Sequence, residues 1–326
     1  MKHLLNYSVC QPLCELPRGG EGLKDIGCDG IELFVLFERV PQEYRCFSPS
    51  VHLPFAIDWY SGWTGRADTE EFDEDNVRYV MFGRDREEIA DNIRSAIAYA
   101  SEIEPAYAVL HASNTNLDEV MFREQTDNSR EILGGFCEMM NQTVAGFRGN
   151  EPPVKLAFEN LWWPGLKLLD RWEYEFMASR LEFDNWGFCL DTGHMMNTLP
   201  DAYEEQTCVD RLLEIFERYP DDMKERIGTV HLHASTSAGY RNSFEPRERP
   251  PGETMQETIS RSYPHIKMID QHKPFSSGGC RLLIDELSPD FVTHEMMGSS
   301  TEDTISDFIR QRSHFEDRES DSRRCL

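Results

Sequence analysis

Side chains that bind metal ions stand at the ends of six short apolar runs in this sequence. Histidine, aspartate and glutamate hold divalent ions such as zinc and manganese in proteins. A parallel β-strand that ends in such a residue carries it to the carboxyl edge of the sheet, where barrel enzymes place their chemistry. We therefore predict a metal site built from several strand ends. The six runs end in His52, His111, Glu159, Asp191, His231 and Glu295.

Eight β-prone runs alternate with helical patterns along the chain. Such alternation is typical of a parallel sheet covered by helices, and eight strands favour a closed (β/α)8 TIM barrel over an open doubly wound sheet. No G-x-G-x-x-G or P-loop motif supports a nucleotide-binding sheet. The predicted strands are 4–9, 30–36, 50–55, 106–111, 154–159, 187–191, 228–233 and 290–295. The predicted helices are 17–26, 85–103, 129–147, 166–181, 206–219, 278–287 and 301–312.

The chain has 326 residues, which suits one barrel of about 250 residues with insertions. We expect a single barrel domain over 1–315 and a charged tail over 316–326. No apolar run approaches the roughly 20 residues that span a bilayer. The nine cysteines are odd in number and scattered, so we expect reduced thiols and a cytoplasmic protein without membrane contact.

Two connections, 56–84 and 234–273, are too long for plain loops. They follow the third and seventh predicted strands, so they should overhang the mouth of the barrel as lids or substrate walls. The first carries Trp59 and an acidic run at 70–75, and the second carries several arginines. Insertion at the surface without function is the alternative interpretation. The candidate substrate-binding residues of these two segments are Trp59, Arg241 and Arg247.

The charge balance is strongly acidic, with 33 Lys and Arg against 59 Asp and Glu and a formal net charge of −26. A solvated acidic surface, as in a salt-tolerant cytoplasm, accounts for most of this excess. Nucleic-acid binding draws its affinity from Lys and Arg on phosphates. Duplex DNA is therefore not an expected partner, and a small-molecule substrate is. The oligomeric state stays open.

The strand-end motifs together resemble those of the xylose isomerase-like TIM barrels, a superfamily of sugar isomerases, epimerases and endonuclease IV enzymes. The resemblance extends over nearly the whole chain, and its most specific element is the Asp-Thr-Gly-His segment after the sixth strand. The motifs that carry it are Val51-His52-Leu53-Pro54-Phe55, Leu110-His111-Ala112-Ser113, Phe158-Glu159-Asn160, Leu190-Asp191-Thr192-Gly193-His194, Val230-His231-Leu232-His233 and His294-Glu295.

The resemblance implies two sets of metal ligands. Isomerases and epimerases of this superfamily hold one divalent ion, at positions matched by Glu159, Asp191, His231 and Glu295. The endonuclease IV branch holds three zinc ions and adds five ligands, matched by His52, His111, His194, Asp270 and His272. In that branch one ion would be held by His52, His111 and Glu159, and a second by Asp191, His231 and Glu295, with Glu159 bridging these two ions. His194, Asp270 and His272 would hold the third ion. All nine positions are filled, so we expect two or three Zn²⁺ or Mn²⁺ ions.

The sequence also departs from the endonuclease IV pattern. His231 is followed by Leu232-His233-Ala234-Ser235 rather than by Asn-Asp-Ser, and His233 shares strand parity with His231 and could compete with it as a ligand. His111 precedes Ala rather than Pro-Gly. Phe55 stands where that enzyme has the aromatic that helps to displace nucleotides, which makes Phe55 a candidate substrate contact. These departures, with the acidic charge, favour a small substrate over duplex DNA.

Two enzyme classes follow from the ion count. Several ions about 3.5–4 Å apart activate a bridging water and clamp the oxygens of a displacement at phosphorus, which indicates a phosphoester hydrolase. Glu159 and Glu295 would then hold the nucleophile. With one ion, the alternative is an isomerase or epimerase of sugars or sugar phosphates, with Glu159 and Glu295 as acid and base and His194 polarising an oxygen. A barrel that has lost catalysis has no support, since every ligand position is filled.

Overall fold

The computed structural model describes residues 1–67, 72 and 74–316. In this part of the chain, eight parallel strands close into a barrel in sequence order, and helices surround it. The expected (β/α)8 TIM barrel is confirmed. The strands are β1 Lys2–Ser8, β2 Gly30–Phe34, β3 Ser50–His52, β4 Tyr107–His111, β5 Lys155–Glu159, β6 Trp186–Asp191, β7 Ile227–His231 and β8 Phe291–His294.

The α-helices of the described residues are twelve in number, and none of them is long and apolar enough to cross a membrane. Six of the predicted helices are present, as α3, α4, α5, α7, α11 and α12. The helices are α1 Trp59–Thr64, α2 Glu74–Met81, α3 Arg86–Ser101, α4 Ser129–Val144, α5 Arg171–Ala178, α6 Thr192–Met196, α7 Glu205–Phe216, α8 Asp221–Lys224, α9 Ala238–Ser243, α10 Met255–Ile269, α11 Gly279–Leu287 and α12 Thr301–Arg312.

The helix predicted at 17–26 is wrong. The segment instead forms two short 3-10 turns, Pro17–Gly20 and Leu23–Ile26. Each glycine inside a helix costs about 1 kcal/mol relative to alanine, and this segment has three in four positions. Gly19 and Gly20 have φ values of 65° and 99°, which a right-handed helix does not allow.

Alternate residues of each strand face the two sides of the barrel wall. The outward set, such as Leu156 and Phe158 of β5, is buried in the core between the strands and the helices. The inward set begins deep in the barrel, where Tyr107, Val109, Ala157 and Cys189 pack together. The residues two positions further along these strands therefore face inward at the carboxyl-terminal mouth, where the strand-end histidines and carboxylates lie.

The two long connections contain helices rather than irregular loops. The segment 56–84 holds α1 and α2, and the segment 234–273 holds α9 and α10. They pack against each other, because Met255 and Ile259 of α10 contact a small apolar cluster that includes Val77, Met81 and Leu117. The side chains of the acidic run at 70–75, apart from Phe72, and the tail over 317–326 lie outside the described residues.

Candidate metal centre

Histidine and carboxylate side chains converge at the carboxyl-terminal mouth of the barrel. They form three ligand groups, and within each group the candidate ligand atoms lie within 4.8 Å of one another; a further set, Glu159, Cys189 and His231, overlaps with the second of these groups. Glu159 belongs to two of the groups and so joins them. The first ligand group is His52, His111 and Glu159; the second is Glu159, Asp191, His231 and Glu295; the third is His194, His233, Asp270 and His272.

Glu159 is the central residue of this mouth, and its side chain is 1% exposed. Its Oε2 lies 3.1 Å from His52 Nε2 and 3.3 Å from His111 Nε2. Its Oε1 lies 3.2 Å from His194 Nδ1 and 3.4 Å from His231 Nδ1. Burial alone would raise the pKa of this carboxyl, but the charges of His231 and His111 outweigh burial and hold the pKa well below its usual range. Glu159 is therefore ionised.

Three polar atoms at the centre of the second ligand group are buried yet have no hydrogen-bond partner among the described residues: Glu159 Oε1, His231 Nδ1 and Glu295 Oε2. His231 Nδ1 is nevertheless 3.1 Å from Glu295 Oε2 and 3.4 Å from Glu159 Oε1. Buried polar atoms in native proteins are almost always hydrogen-bonded. These three atoms lie close together without hydrogen-bonding to one another, which is the arrangement expected of ligands that share a divalent ion. The side chains of the second ligand group therefore fit such an ion.

Glu32 lies against His231 on the side away from the mouth, and the strand-end pattern gave no sign of this role. The carboxylate is 3% exposed inside β2, and its Oε1 lies 2.7 Å from His231 Nε2. Ser50 and Thr293 donate hydrogen bonds of 3.2 Å to its other oxygen. A carboxylate behind an imidazole fixes the ring and its tautomer in many metal sites. The detectable signal was a charged residue at an inward position of an otherwise apolar strand.

The loop after α10 supplies Asp270 and His272 to the third ligand group. Asp270 Oδ2 lies 2.7 Å from His272 Nε2 and 3.3 Å from His194 Nε2. The backbone of His272 has a φ of 45°, which lies in the left-handed region that residues other than glycine rarely adopt. Backbone hydrogen bonds between Ala234 and Lys273, 2.7 and 3.2 Å long, tie this loop to the end of β7. The fold thus sustains a strained conformation that directs His272 to the mouth, as is common at functional sites.

His194 connects the second and third ligand groups. It lies in α6, which begins directly after β6, and its backbone N–H donates a 2.6 Å hydrogen bond to Asp191 Oδ1. Its Nδ1 lies 2.8 Å from the Asn160 carbonyl oxygen, and its Nε2 faces Asp270. Donation from Nδ1 to the carbonyl leaves the electron pair of Nε2 free for a cation of the third ligand group.

Comparison with known proteins agrees with the fold of this chain. Residues 80–286 match the family model of the xylose isomerase-like TIM barrel. The chain belongs to that family. Endonuclease IV from Thermus thermophilus is similar in structure, with a TM-score of 0.52 and 14% identity over 97% of this chain and 99% of that one. A D-tagatose 3-epimerase-like protein has the same TM-score and identity over 97% of both chains.

At such identities these likenesses concern the fold alone. No curated protein matches the chain by sequence. The two structural neighbours are an endonuclease and an epimerase-like protein, so the shared fold does not decide between hydrolysis and isomerisation. The side chains at the mouth of the barrel have to distinguish hydrolysis from isomerisation.

Aromatic rings form one wall of the mouth in this xylose isomerase-like barrel. Phe55 is 39% exposed and stacks on His111 at a centroid distance of 4.6 Å. Phe34 of β2 lies 5.6 Å from the ring of His52, and Trp162 lies 5.2 Å from the ring of His194. The position of Phe55 agrees with its expected substrate role, which stays a prediction. Phe34 and Trp162 were missed, although each comes at or just after a strand end.

Trp59 is buried away from any substrate, and Arg241 makes contacts within the protein. Trp59 is 1% exposed in the core, where its indole N–H donates a 2.9 Å hydrogen bond to the Ser113 carbonyl. Arg241 is partly buried and donates to Ser237 Oγ at 2.9 Å and to a backbone carbonyl at 2.5 Å. The expected substrate contact of Trp59 is wrong, because this side chain is buried, whereas that of Arg241 stays a prediction. Arg247 is exposed, and its backbone N–H bonds to the Met121 carbonyl.

Gly193 of the Asp-Thr-Gly-His segment is required by a close contact. A Cβ at this position would lie 2.0 Å from Cε1 and 2.3 Å from Nδ1 of the His233 ring. We expect Gly193→Ala to lower the free energy of unfolding by about 1–3 kcal/mol, the usual cost of overpacking. Urea denaturation of the metal-free protein measures this effect without interference from metal loss.

Gly134→Ala is the matched control for that substitution. Gly134 lies inside α4, and a Cβ there would make only an ordinary contact of 3.9 Å with Phe176. Alanine in a helix interior should stabilise the protein by about 0.5–1 kcal/mol. Equal stability of the Gly193→Ala variant and the wild type would show that the His233 ring does not occupy this place.

Proposed function

We propose that this barrel is a divalent-metal-dependent phosphoester hydrolase with more than one ion, zinc or manganese, acting on a small phosphorylated substrate. The observation that carries the proposal is the sharing of Glu159 between two complete ligand groups, with a third group beside them. An isomerase or epimerase with one ion would need only the second ligand group. Side chains arranged for further ions favour hydrolysis at phosphorus.

Two neighbouring divalent ions supply an activated water and hold the oxygens of an in-line displacement at phosphorus. Glu159 offers one carboxylate oxygen to the first ligand group and the other to the second, and its low pKa keeps it a charged ligand. Glu295 is the more exposed carboxylate, at 19% against 1% for Glu159. We therefore assign Glu295 to the substrate side, where it orients the attacking water. His194 links this centre to the third ligand group.

Arginines of the connection 234–273 would be suited to hold the phosphate, but most of them have partners within the protein. Arg241 holds Ser237, and Arg261 forms a salt bridge with Glu253 at 2.9 Å. Arg249 donates to the Glu253 carbonyl at 3.0 Å. The bound ions themselves would therefore neutralise most of the phosphate charge. The aromatic wall formed by Phe34, Phe55 and Trp162 would contact the rest of the substrate.

A sugar isomerase or epimerase is the second candidate, because the second ligand group alone is a complete one-ion site and the aromatic wall suits a sugar ring. Glu159 and Glu295 would then transfer the proton. General acid–base catalysis works best with a pKa near the working pH. Burial raises the pKa of both carboxyls, yet the neighbouring histidine charges lower both below their usual range. A bound cation lowers them further, which favours the hydrolase.

The decisive experiment combines metal content with three substrates. We expect the zinc- or manganese-loaded protein to contain two or three ions per chain and to hydrolyse an activated phosphodiester such as bis(p-nitrophenyl) phosphate. Chelation should stop the reaction, and added metal should restore it. A panel of ketoses and an abasic DNA duplex, tested in parallel, should be turned over poorly.

Three outcomes would contradict the proposal. Interconversion of ketoses with one ion per chain and no phosphoester cleavage would favour the isomerase. Sub-micromolar binding and cleavage of the abasic duplex, weakening steeply with salt as counterion release requires, would restore DNA as the substrate. Hydrolysis that resists exhaustive chelation would place the reaction outside the metal centre.

A further inference from the structure

The third ligand group contains four side chains, one more than the family resemblance implied. The additional member is His233, which is fully buried and stacks on His272 with a centroid distance of 4.0 Å and an angle of 8°. His233 Nε2 lies 2.9 Å from Asp191 Oδ2. His233 Nδ1 is buried and has no hydrogen-bond partner within the described part of the chain.

The sequence around β6 and β7 fixes this imidazole in place. Thr192 Oγ1 accepts a 3.2 Å hydrogen bond from the backbone N–H of His233 and donates one of 2.8 Å to its carbonyl oxygen. Gly193, which has no side chain, leaves the space that the ring occupies. Thr192 and Gly193 of the Asp-Thr-Gly-His segment therefore hold His233, a residue 40 positions beyond Gly193 in the sequence.

A buried histidine that serves packing alone normally bonds through both ring nitrogens. Here Nε2 lies 2.9 Å from Asp191 Oδ2, and a proton on Nε2 that is donated to this carboxylate leaves an unshared electron pair on Nδ1. A carboxylate on one side and a free nitrogen on the other is the arrangement of a metal-binding imidazole.

We propose that His233 is a fourth protein ligand for the cation of the third ligand group, and that this group is a closed, structural zinc site of three imidazoles and one carboxylate. The inference rests on the proposed metal centre. Structural zinc sites have four protein ligands, whereas catalytic sites keep a position open for water or substrate. The third ion would thus take no direct part in the reaction.

The positions of the four ligands show what such an ion would stabilise. His194 comes from α6, His233 follows β7, and Asp270 and His272 lie in the loop after α10. One ion would tie the end of the second insertion to the sixth and seventh strands. The first ligand group has only three side chains, His52, His111 and Glu159, so an ion held there would have a position left for water or substrate.

The test compares the wild type, His233→Asn and His233→Ala, with His3→Ala as control. His233→Asn keeps an N–H donor for Asp191 but lacks the ring nitrogen, so it separates ligation from hydrogen bonding. His3 is also a buried histidine, but it pairs with His294 outside the three ligand groups. The readouts are zinc per chain, the affinity of the tightest zinc in competition with a chromophoric chelator, and Tm with and without zinc.

We expect both His233 variants to bind one zinc ion fewer and to lose most of the zinc-dependent rise in Tm. Their affinity for the tightest zinc should fall by more than about 100-fold, beyond the 10–100-fold that loss of an outer-shell partner costs. His3→Ala should keep the zinc content and the rise in Tm. The metal-free Tm of each variant separates loss of packing from loss of the ligand.

A smaller loss of affinity with unchanged zinc content would overturn the inference, since His233 would then only orient Asp191. Full retention of both properties would overturn it as well. None of the readouts uses a substrate. A protein that binds the structural zinc but cleaves no phosphoester would contradict the proposed function alone, and an active hydrolase whose His233 variants keep the zinc would contradict this inference alone.

Discussion

Glu159→Gln should abolish the metal-dependent activity and leave the barrel folded. The amide has nearly the shape of the carboxylate but no charge, and Glu159 is the residue that four histidines approach and two ligand groups share. Removing one preorganised charge-stabilising group costs about 10²–10³-fold in kcat, and loss of a bridging ligand should reach at least that size. We also expect fewer bound ions per chain.

The matched control is Glu173→Gln, the same substitution at a buried carboxyl away from the mouth. Glu173 is 3% exposed and accepts hydrogen bonds of 3.0 and 2.9 Å from the backbone N–H groups of Lys167 and Leu169. Its replacement should leave kcat and metal content unchanged. Steady-state kinetics on the activated phosphodiester, metal analysis and circular dichroism provide the measurements. Full activity of Glu159→Gln would show that the chemistry occurs elsewhere in the molecule.

The barrel could be predicted because two local features of the sequence, the β-prone runs and the type of residue at their ends, agree along most of the chain. Each strand is a short β-prone run, and six of the eight runs end in histidine, aspartate or glutamate. The alternation of strand side chains also assigned Glu295 to the mouth and His294 to the helix layer. In the structure His294 is buried, with a hydrogen bond from Gln311 of α12, and Glu295 lies 3.1 Å from His231.

The insertions could not be predicted as fully, because their conformation depends on contacts between distant segments. Helices α2 and α10 pack on the same apolar cluster, although more than 150 residues separate them in the sequence. Trp59 is the clearest error, since an aromatic residue in a long connection suggested a substrate wall. Its burial against Phe136 of α4 follows from tertiary packing that no local pattern reveals.

Supporting residues of the site were missed for a related reason. Glu32 acts through His231, and a supporting role has no fixed spacing from the residue that it supports. His233 was considered only as a competitor of His231, because both have the same strand parity. The chain leaves β7 at His231, so parity no longer determines where His233 points. Its position depends on the space left by Gly193.

The second large effect that we expect concerns the free energy of unfolding, which should depend on pH differently in the metal-free and in the zinc-loaded protein. Burial alone would lower the pKa of His272, but the charges of Asp270 and Glu295 raise it to about 9 in the folded state. In the unfolded chain a histidine has a pKa of about 6.5. The ion pair of His272 therefore stabilises the metal-free protein fully below about pH 6.5, and this stabilisation is lost as the pH rises towards 9.

We expect the metal-free protein to lose about 3 kcal/mol of unfolding free energy across that window from His272 alone. The zinc-loaded protein should show the opposite trend, because zinc binds neutral imidazoles and binds more tightly as protons leave. Urea titrations at several pH values, with chelator and with saturating zinc, measure both profiles. His272→Asn should flatten the metal-free profile by the same amount. The free energies of unfolding of the two forms could instead change in parallel with pH. Protons and zinc would then not compete for the third ligand group, and His272 would not be one of its ligands.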